Sequence, residues 1–381
     1  SQLGSLCRIR GSVFPVAFCI AVPAGALTGL LKWATEAGRL EFVDGLGPGE
    51  LVILEPAVWS GFTFLVGFLV VFRTSISYSR FWEGANSTHR LRAEWFDACS
   101  AACAFCKHSK ADAGLINKFR HTLIRLFSIL HSVALAEIED SSTKELSDIA
   151  ALTMSVVDAR GLDEESLETL RDCDAKVELV FQWIQQLIVD NIETGVLSIP
   201  APILSRVFQE LANGMVAFHD ALKVSSIPFP FPYAQACDTL LMLHWLMTPV
   251  VTNQWVEHTG WAIIFTFIQV CILWSLNLIA GEIENPFGLD PNDLDGNQMQ
   301  EEMNEHLLLL LKKSTIRTPG LSDGASWQAE MHDEHLSTDH SLMDVWRHLN
   351  CLKHPVSSVR RLTRSSSTST LLGSLASDPA S

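Results

Sequence analysis

The chain has 381 residues, 48% of them hydrophobic, and a formal charge of -16. That apolar share, with a positive mean hydropathy, exceeds what a soluble fold needs and is concentrated in a few runs. The negative charge lies in the polar stretches between them, leaving no basic face for phosphates, which argues against nucleic acid as a partner.

Nine cysteines, scattered from Cys7 to Cys351 and several of them inside apolar runs, make a poor disulfide framework and predict reduced thiols. The chain opens at Ser1, which leaves room for a targeting segment removed upstream.

In chain order, the first uncharged run is Ser12 to Leu31, after Arg8 and Arg10, interrupted by Pro15 and Pro23; a span is expected over about 12–33. Pro56 to Phe72 follows Glu55 without a charge, and its apolar lead-in Leu51 to Leu54 gives a second span at 51–72. Residues 73–226 are polar overall but keep helical periodicity. Leu115, Phe119, Leu123, Leu126, Phe127 and Leu130 form one stripe. Val177, Val180, Phe181, Ile184, Leu187 and Ile188 form another, and Ile203, Leu204, Val207, Phe208, Leu211, Met215, Phe218 and Leu222 a third.

A third span is expected at 237–256, between Asp238 and Glu257 along most of its length. The fourth, Thr259 to Gly281, carries no charge and exceeds the ~20 residues needed to cross a bilayer. Beyond Thr315 periodicity fades, and 315–381 reads as a disordered Ser/Thr-rich tail after a helical unit at 1–314. Four spans place both termini and the region 73–226 on one side. Arg8, Arg10, Arg73, Arg80, Lys312 and Lys313 flank that side, as the positive-inside rule requires. The predicted fold class is all-α, a four-span protomer with a large helical soluble extension.

Within the second span, Phe64, Phe68 and Phe72 recur every four residues and share one helix face. Alone, such a stripe reads more readily as bundle packing than as a pathway lining. It runs directly into Phe72, Arg73, Thr74, Ser75, Ile76, Ser77, Tyr78, Ser79, Arg80, Phe81, Trp82 and Glu83. That segment resembles the FRTNxSYxRWWE signature of bestrophins, especially bacterial and plastid members.

Three further matches follow in order: Arg10 to Val13, Ile227 to Ala234, and Gly281 to Gly288 with Asp290, Asn292, Asp293 and Leu294 beyond. The resemblance implies a homopentameric anion channel for chloride or bicarbonate, in contact with membrane lipid. Phe64, Phe68 and Phe72 would then form its hydrophobic neck. It implies a second constriction on the helix holding Val207 and Leu211. Arg80, eight residues beyond Phe72, could raise local anion concentration, or instead pin a carboxylate such as Glu83.

Calcium, bound in vertebrate members after the fourth span, would be met here by Asp290, Asp293 and a backbone oxygen of Asn285. Leu289, Pro291 and Asn292 interrupt the acidic run, which thins the hard-cation charge. The plastid-like form of the motifs points to a chloroplast thylakoid membrane.

Other constellations read as structural. Cys99, Cys103 and Cys106 share one helix face beside small alanines, which suits close packing better than a tetrahedral zinc site. His244 and Asn277 sit at bilayer depth, where interhelical hydrogen bonding is their expected use. No Ser/His/Asp order, HExxH or phosphate loop argues for an enzyme. The alternative to a channel is a membrane-anchored scaffold that recruits partners through the acidic helical region and the tail.

Overall fold

The computed structural model describes residues 10–37, 55–139, 154–288 and 290–321, together with Leu342. One compact unit runs from Ile9 to Arg317; the other comprises Ser1–Arg8 and Thr318–Ser381, of which only 318–321 and Leu342 are described. The expected tail therefore falls almost wholly outside the described residues, as does the lead-in 51–54 to the second span.

Among the described residues every regular element is helical. In order these are α1 (Phe14–Glu36), α2 (Pro56–Phe105), α3 (Ala113–Glu139), α4 (Glu164–Asp172), α5 (Lys176–Glu193), α6 (Ala201–Ser226), α7 (Phe231–Trp255), α8 (Thr259–Glu284), α9 (Gly296–Leu309) and α10 (Lys313–Ile316). Starts are legible locally. Pro15, Pro56, Pro202 and Pro232 stand in first turns, where a missing N–H leaves no bond unmade. Asp163 and Asp295 accept the Ser166 and Gln298 N–H groups as N-caps of α4 and α9.

α2 has 50 residues and so extends about 75 Å. The sequence reading ends a span at Phe72 and begins a soluble region at Arg73, but the helix continues through both, because no proline or capping residue interrupts it. Its first part meets α7 and α8 through Val66, Val70, Leu241 and Leu273. Its later part enters the main core, where Leu91 and Trp95 pack with Phe119, Leu123 and Phe127 of α3, Val180 and Ile184 of α5, and Val207 and Phe218 of α6. The Trp95 indole N–H donates to Leu211 O at 3.2 Å, and a Cβ at Gly214 would collide with that ring.

The apolar face of α1 that meets α8 is built from small residues. Ala17, Ala21, Ala24, Gly25 and Thr28 are buried there, at a spacing that lets helix backbones approach closely in a bilayer. Thr28 Oγ1 donates to Thr266 Oγ1 at 3.0 Å across that contact. Lys32 Nζ donates to Asn253 O and Val256 O, tying the end of α1 to the end of α7.

Among the described residues four helices are long and apolar enough to cross a membrane by length and composition: α1, α2 with its 3-10 extension to His108, α3 and α8. This set contains α3 in place of the expected span at 237–256. In α3, 78% of the apolar window is buried inside the protein, against 22–33% in the other three, so its apolar surface is already covered. α7 is less hydropathic because its polar groups point inward. His244, Thr248, Thr252 and Asn253 are buried while Met242, Leu243 and Leu246 face out. The Trp245 indole N–H reaches Ile20 O at 2.9 Å.

Candidate pore-lining site

Phe64, Phe68 and Phe72 project from α2 with 70%, 57% and 48% of their surface exposed. Successive ring centroids are 6.4 Å apart, with interplanar angles of 24° and 15°. Four helical residues rise about 6 Å, so the ring stack follows the helix axis. Val66 and Val70 on another face supply the packing against α7 and α8. Phe64 and Phe68 are thus left outside the packing against α7 and α8, and only Phe72 meets a ring of another helix.

The last ring is supported from α7. Tyr233 lies 5.9 Å from Phe72 and donates its hydroxyl proton to Leu69 O at 3.2 Å, while Phe229 meets Tyr233 edge-on at 5.6 Å. The run Ile227–Ala234 is therefore a buttress for Phe72.

The next residue, Arg73, is 7% exposed. Its Nη1 donates to Asn277 Oδ1 at 2.8 Å and Asp238 Oδ1 at 3.2 Å, and its Nη2 to Glu284 Oε2 at 3.3 Å. The guanidinium lies 5.6 Å from the Phe229 ring centroid, and Asn277 Nδ2 donates to Asp238 Oδ1 at 3.0 Å. The pairing of Nη1 and Nη2 offsets the cost of burying the charge, while Nε is buried without a partner. The interhelical hydrogen bonding expected of Asn277 is present. So is that of His244, whose ring nitrogens approach Thr248 Oγ1 at 3.3 Å and Gln269 Nε2 at 3.2 Å, and which stacks on Trp59 at 5.2 Å. Sequence reasoning missed Arg73 as a hub. The available signal was that Arg73, Asp238 and Glu284 all border uncharged runs.

Burial corrects one expectation. Val207 and Leu211 are fully buried in the main core, so neither faces an open axis; the exposed apolar residues of α6 are Ile203 and Val216. Arg80 is held by backbone carbonyls. Its Nε donates to Glu284 O at 3.1 Å and its Nη2 to Val224 O and Ile227 O at 2.8 Å each, while Glu83 pairs with Lys223 at 3.0 Å.

Asp290 and Asp293, two of the expected calcium residues, are tied to each other in the turn that follows α8. Asp293 Oδ2 already accepts the Asp290 N–H at 2.8 Å, and the Pro286 carbonyl accepts the Leu294 N–H at 2.9 Å. Burial, then the Asp290 and Glu282 charges, raise the Asp293 carboxyl above its ordinary range. Calcium takes six to eight oxygen ligands. No group of three or more His, Cys, Asp or Glu is gathered for a metal among the described residues. Cys99, Cys103 and Cys106 are buried core residues.

Residues 7–308 match the sequence profile of the family described as Bacterial/Fungal Bestrophin protein. The chain belongs to the bestrophin family. This bestrophin is an integral multi-pass membrane protein, and the family is not an enzymatic one. It is 28% identical over 243 residues to a voltage-dependent anion channel-forming protein of Nostoc, covering 60% of this chain and 69% of that one. A protein of the same description from Synechocystis is 26% identical over 313 residues, 79% of this chain and 89% of its own. Among solved structures, a point mutant of a bacterial bestrophin homologue from Klebsiella pneumoniae superposes with a TM-score of 0.61. It is 16% identical and covers 78% of this chain and 99% of its own, a likeness of fold.

Proposed function

We propose that this bestrophin is an anion channel, assembled as a homopentamer around an axis lined by Phe64, Phe68 and Phe72, and that it passes chloride, bicarbonate or both. The single observation that carries the reading is the exposure of three stacked phenylalanines on the side of α2 opposite the packed Val66 and Val70. The cyanobacterial relatives described as anion channel-forming support the choice of ion class.

In this reading α1, the first part of α2, α7 and α8 cross the membrane. The outward apolar residues Trp261, Phe265, Ile268 and Ile272 of α8 meet lipid, and the core of α3, α5 and α6 stands in the aqueous phase with the rest of residues 73–226. A photosynthetic membrane such as the thylakoid suits the plastid-like motifs and the cyanobacterial origin of both relatives.

The physics of the neck needs no fixed charge. Three apolar rings per protomer, repeated about an axis, form a constriction that sheds water and closes with little movement. Aromatic ring edges carry partial positive charge, which favours a dehydrated anion over a cation there. Weakly hydrated anions then pass most easily.

The test is the reversal potential of purified full-length protein in planar bilayers under chloride and then bicarbonate gradients. A potential following the anion gradient is expected. Reconstituted protein that carries no anion current, or a potential following the cation, refutes the channel reading and favours the scaffold.

A further inference from the structure

We propose that Arg73 is a positioning residue. By tying the back of α2 to α7 and α8 it sets the rotation of that helix about its own axis, and hence how far the phenylalanine stripe reaches toward the conduction axis. The proposal rests on the channel reading and adds to it what holds the neck in place.

The argument begins from azimuth. At about 100° per residue, Arg73 lies about 140° round the helix from Phe68, and Arg80, seven residues on, falls within about 20° of Arg73. The two arginines thus hold the side of α2 turned away from the stripe. They converge on one residue. Arg73 takes the Glu284 carboxylate and Arg80 the Glu284 carbonyl. Arg73 also reaches α7 through Asp238 and a second point on α8 through Asn277.

Directional bonds are what fix a rotation. The apolar contacts of Val66 and Val70 with Leu241 and Leu273 can slide, whereas a guanidinium held on two nitrogens by three acceptors cannot turn without breaking a charge-assisted bond.

The lever is long enough to matter. Side-chain tips stand about 6 Å from a helix axis, so a rotation of about 20° moves each phenylalanine ring by about 2 Å. A constriction that closes by losing water responds steeply to a change of that size.

The experiment compares full-length wild type, Arg73→Gln and Arg73→Lys in planar bilayers. It reads the thiocyanate to chloride permeability ratio and the open probability. For Arg73→Gln we expect the ratio to fall and the open–closed balance to shift by about tenfold, the weight of one lost charge-assisted bond. Arg73→Lys, which keeps the charge but cannot reach three acceptors, should fall between.

Should Arg73→Gln fail to assemble, Asp238→Asn and Glu284→Gln each remove one tie and carry the test. Wild-type current with an unchanged ratio and open probability in the assembled variants overturns the inference and leaves the channel reading standing. A lower yield of protein with unaltered permeation does the same, because it marks a merely structural arginine. Wild type that carries no anion current overturns both.

Discussion

Truncating the middle ring, Phe68→Ala, separates permeation from stability. The side chain is 57% exposed, so less than half of the roughly 1.5–3 kcal/mol for burying a phenylalanine is at stake, about 1 kcal/mol. Its two stacked contacts with Phe64 and Phe72 add the low end of about 0.5–1.5 kcal/mol each. A loss near 2 kcal/mol per protomer leaves a folded assembly, visible as an unchanged elution volume in size-exclusion chromatography.

Permeation should change far more. Removing one apolar ring from a dewetted constriction needs to lower the barrier by only about 1.4 kcal/mol to raise conductance about tenfold. Single-channel recording in symmetrical chloride reads that increase, and bi-ionic potentials should show reduced discrimination between thiocyanate and chloride. Folded Phe68→Ala channels with wild-type conductance, gating and anion order would refute the neck.

Leu211→Ala tests the correction at the buried α6 face: it should destabilise by about 2–5 kcal/mol in thermal unfolding, yet leave anion selectivity untouched. Gly214→Ala forces a methyl group into Trp95, and a loss of about 1–3 kcal/mol is expected, read as a lower Tm in detergent. His131, buried in α3, donates from Nδ1 to Gln300 Oε1 at 2.6 Å, and burial lowers its pKa to about 4 from the usual 6.5. The unfolded chain then takes up that proton first as pH falls, so stability is full above about pH 6.5 and is lost toward pH 4, by about 3 kcal/mol in all. Tm measured against pH should show that decline in wild type and a flatter one in His131→Gln.

Much of the fold is legible in local pattern. The uncharged run Thr259–Gly281 becomes most of α8, and the stripes at 115–130, 177–188 and 203–222 become α3, α5 and α6. Where the reading stops, a local signal is missing or ambiguous. Nothing between Phe72 and Arg80 marks whether α2 ends, because a helix crossing an interface needs no cap there. α7 scores poorly because hydropathy sums every residue, although Asn253 and His244 point inward and Leu243 and Leu246 outward. Arg73 finds its partners 165 to 211 residues away, a distance over which sequence order carries no contact information.

The phenylalanine stripe and the Val207–Leu211 face show the division most directly. Periodicity determined both as apolar faces of helices, and a 3.6-residue period is a property of one helix alone. Which of the two faces is covered depends on what arrives from elsewhere in the chain. α2 and α3 close over Val207 and Leu211, while Val66 and Val70 take the α7 and α8 contacts and leave Phe64, Phe68 and Phe72 exposed. A buried apolar face and an exposed one are alike in composition, so only tertiary packing separates them.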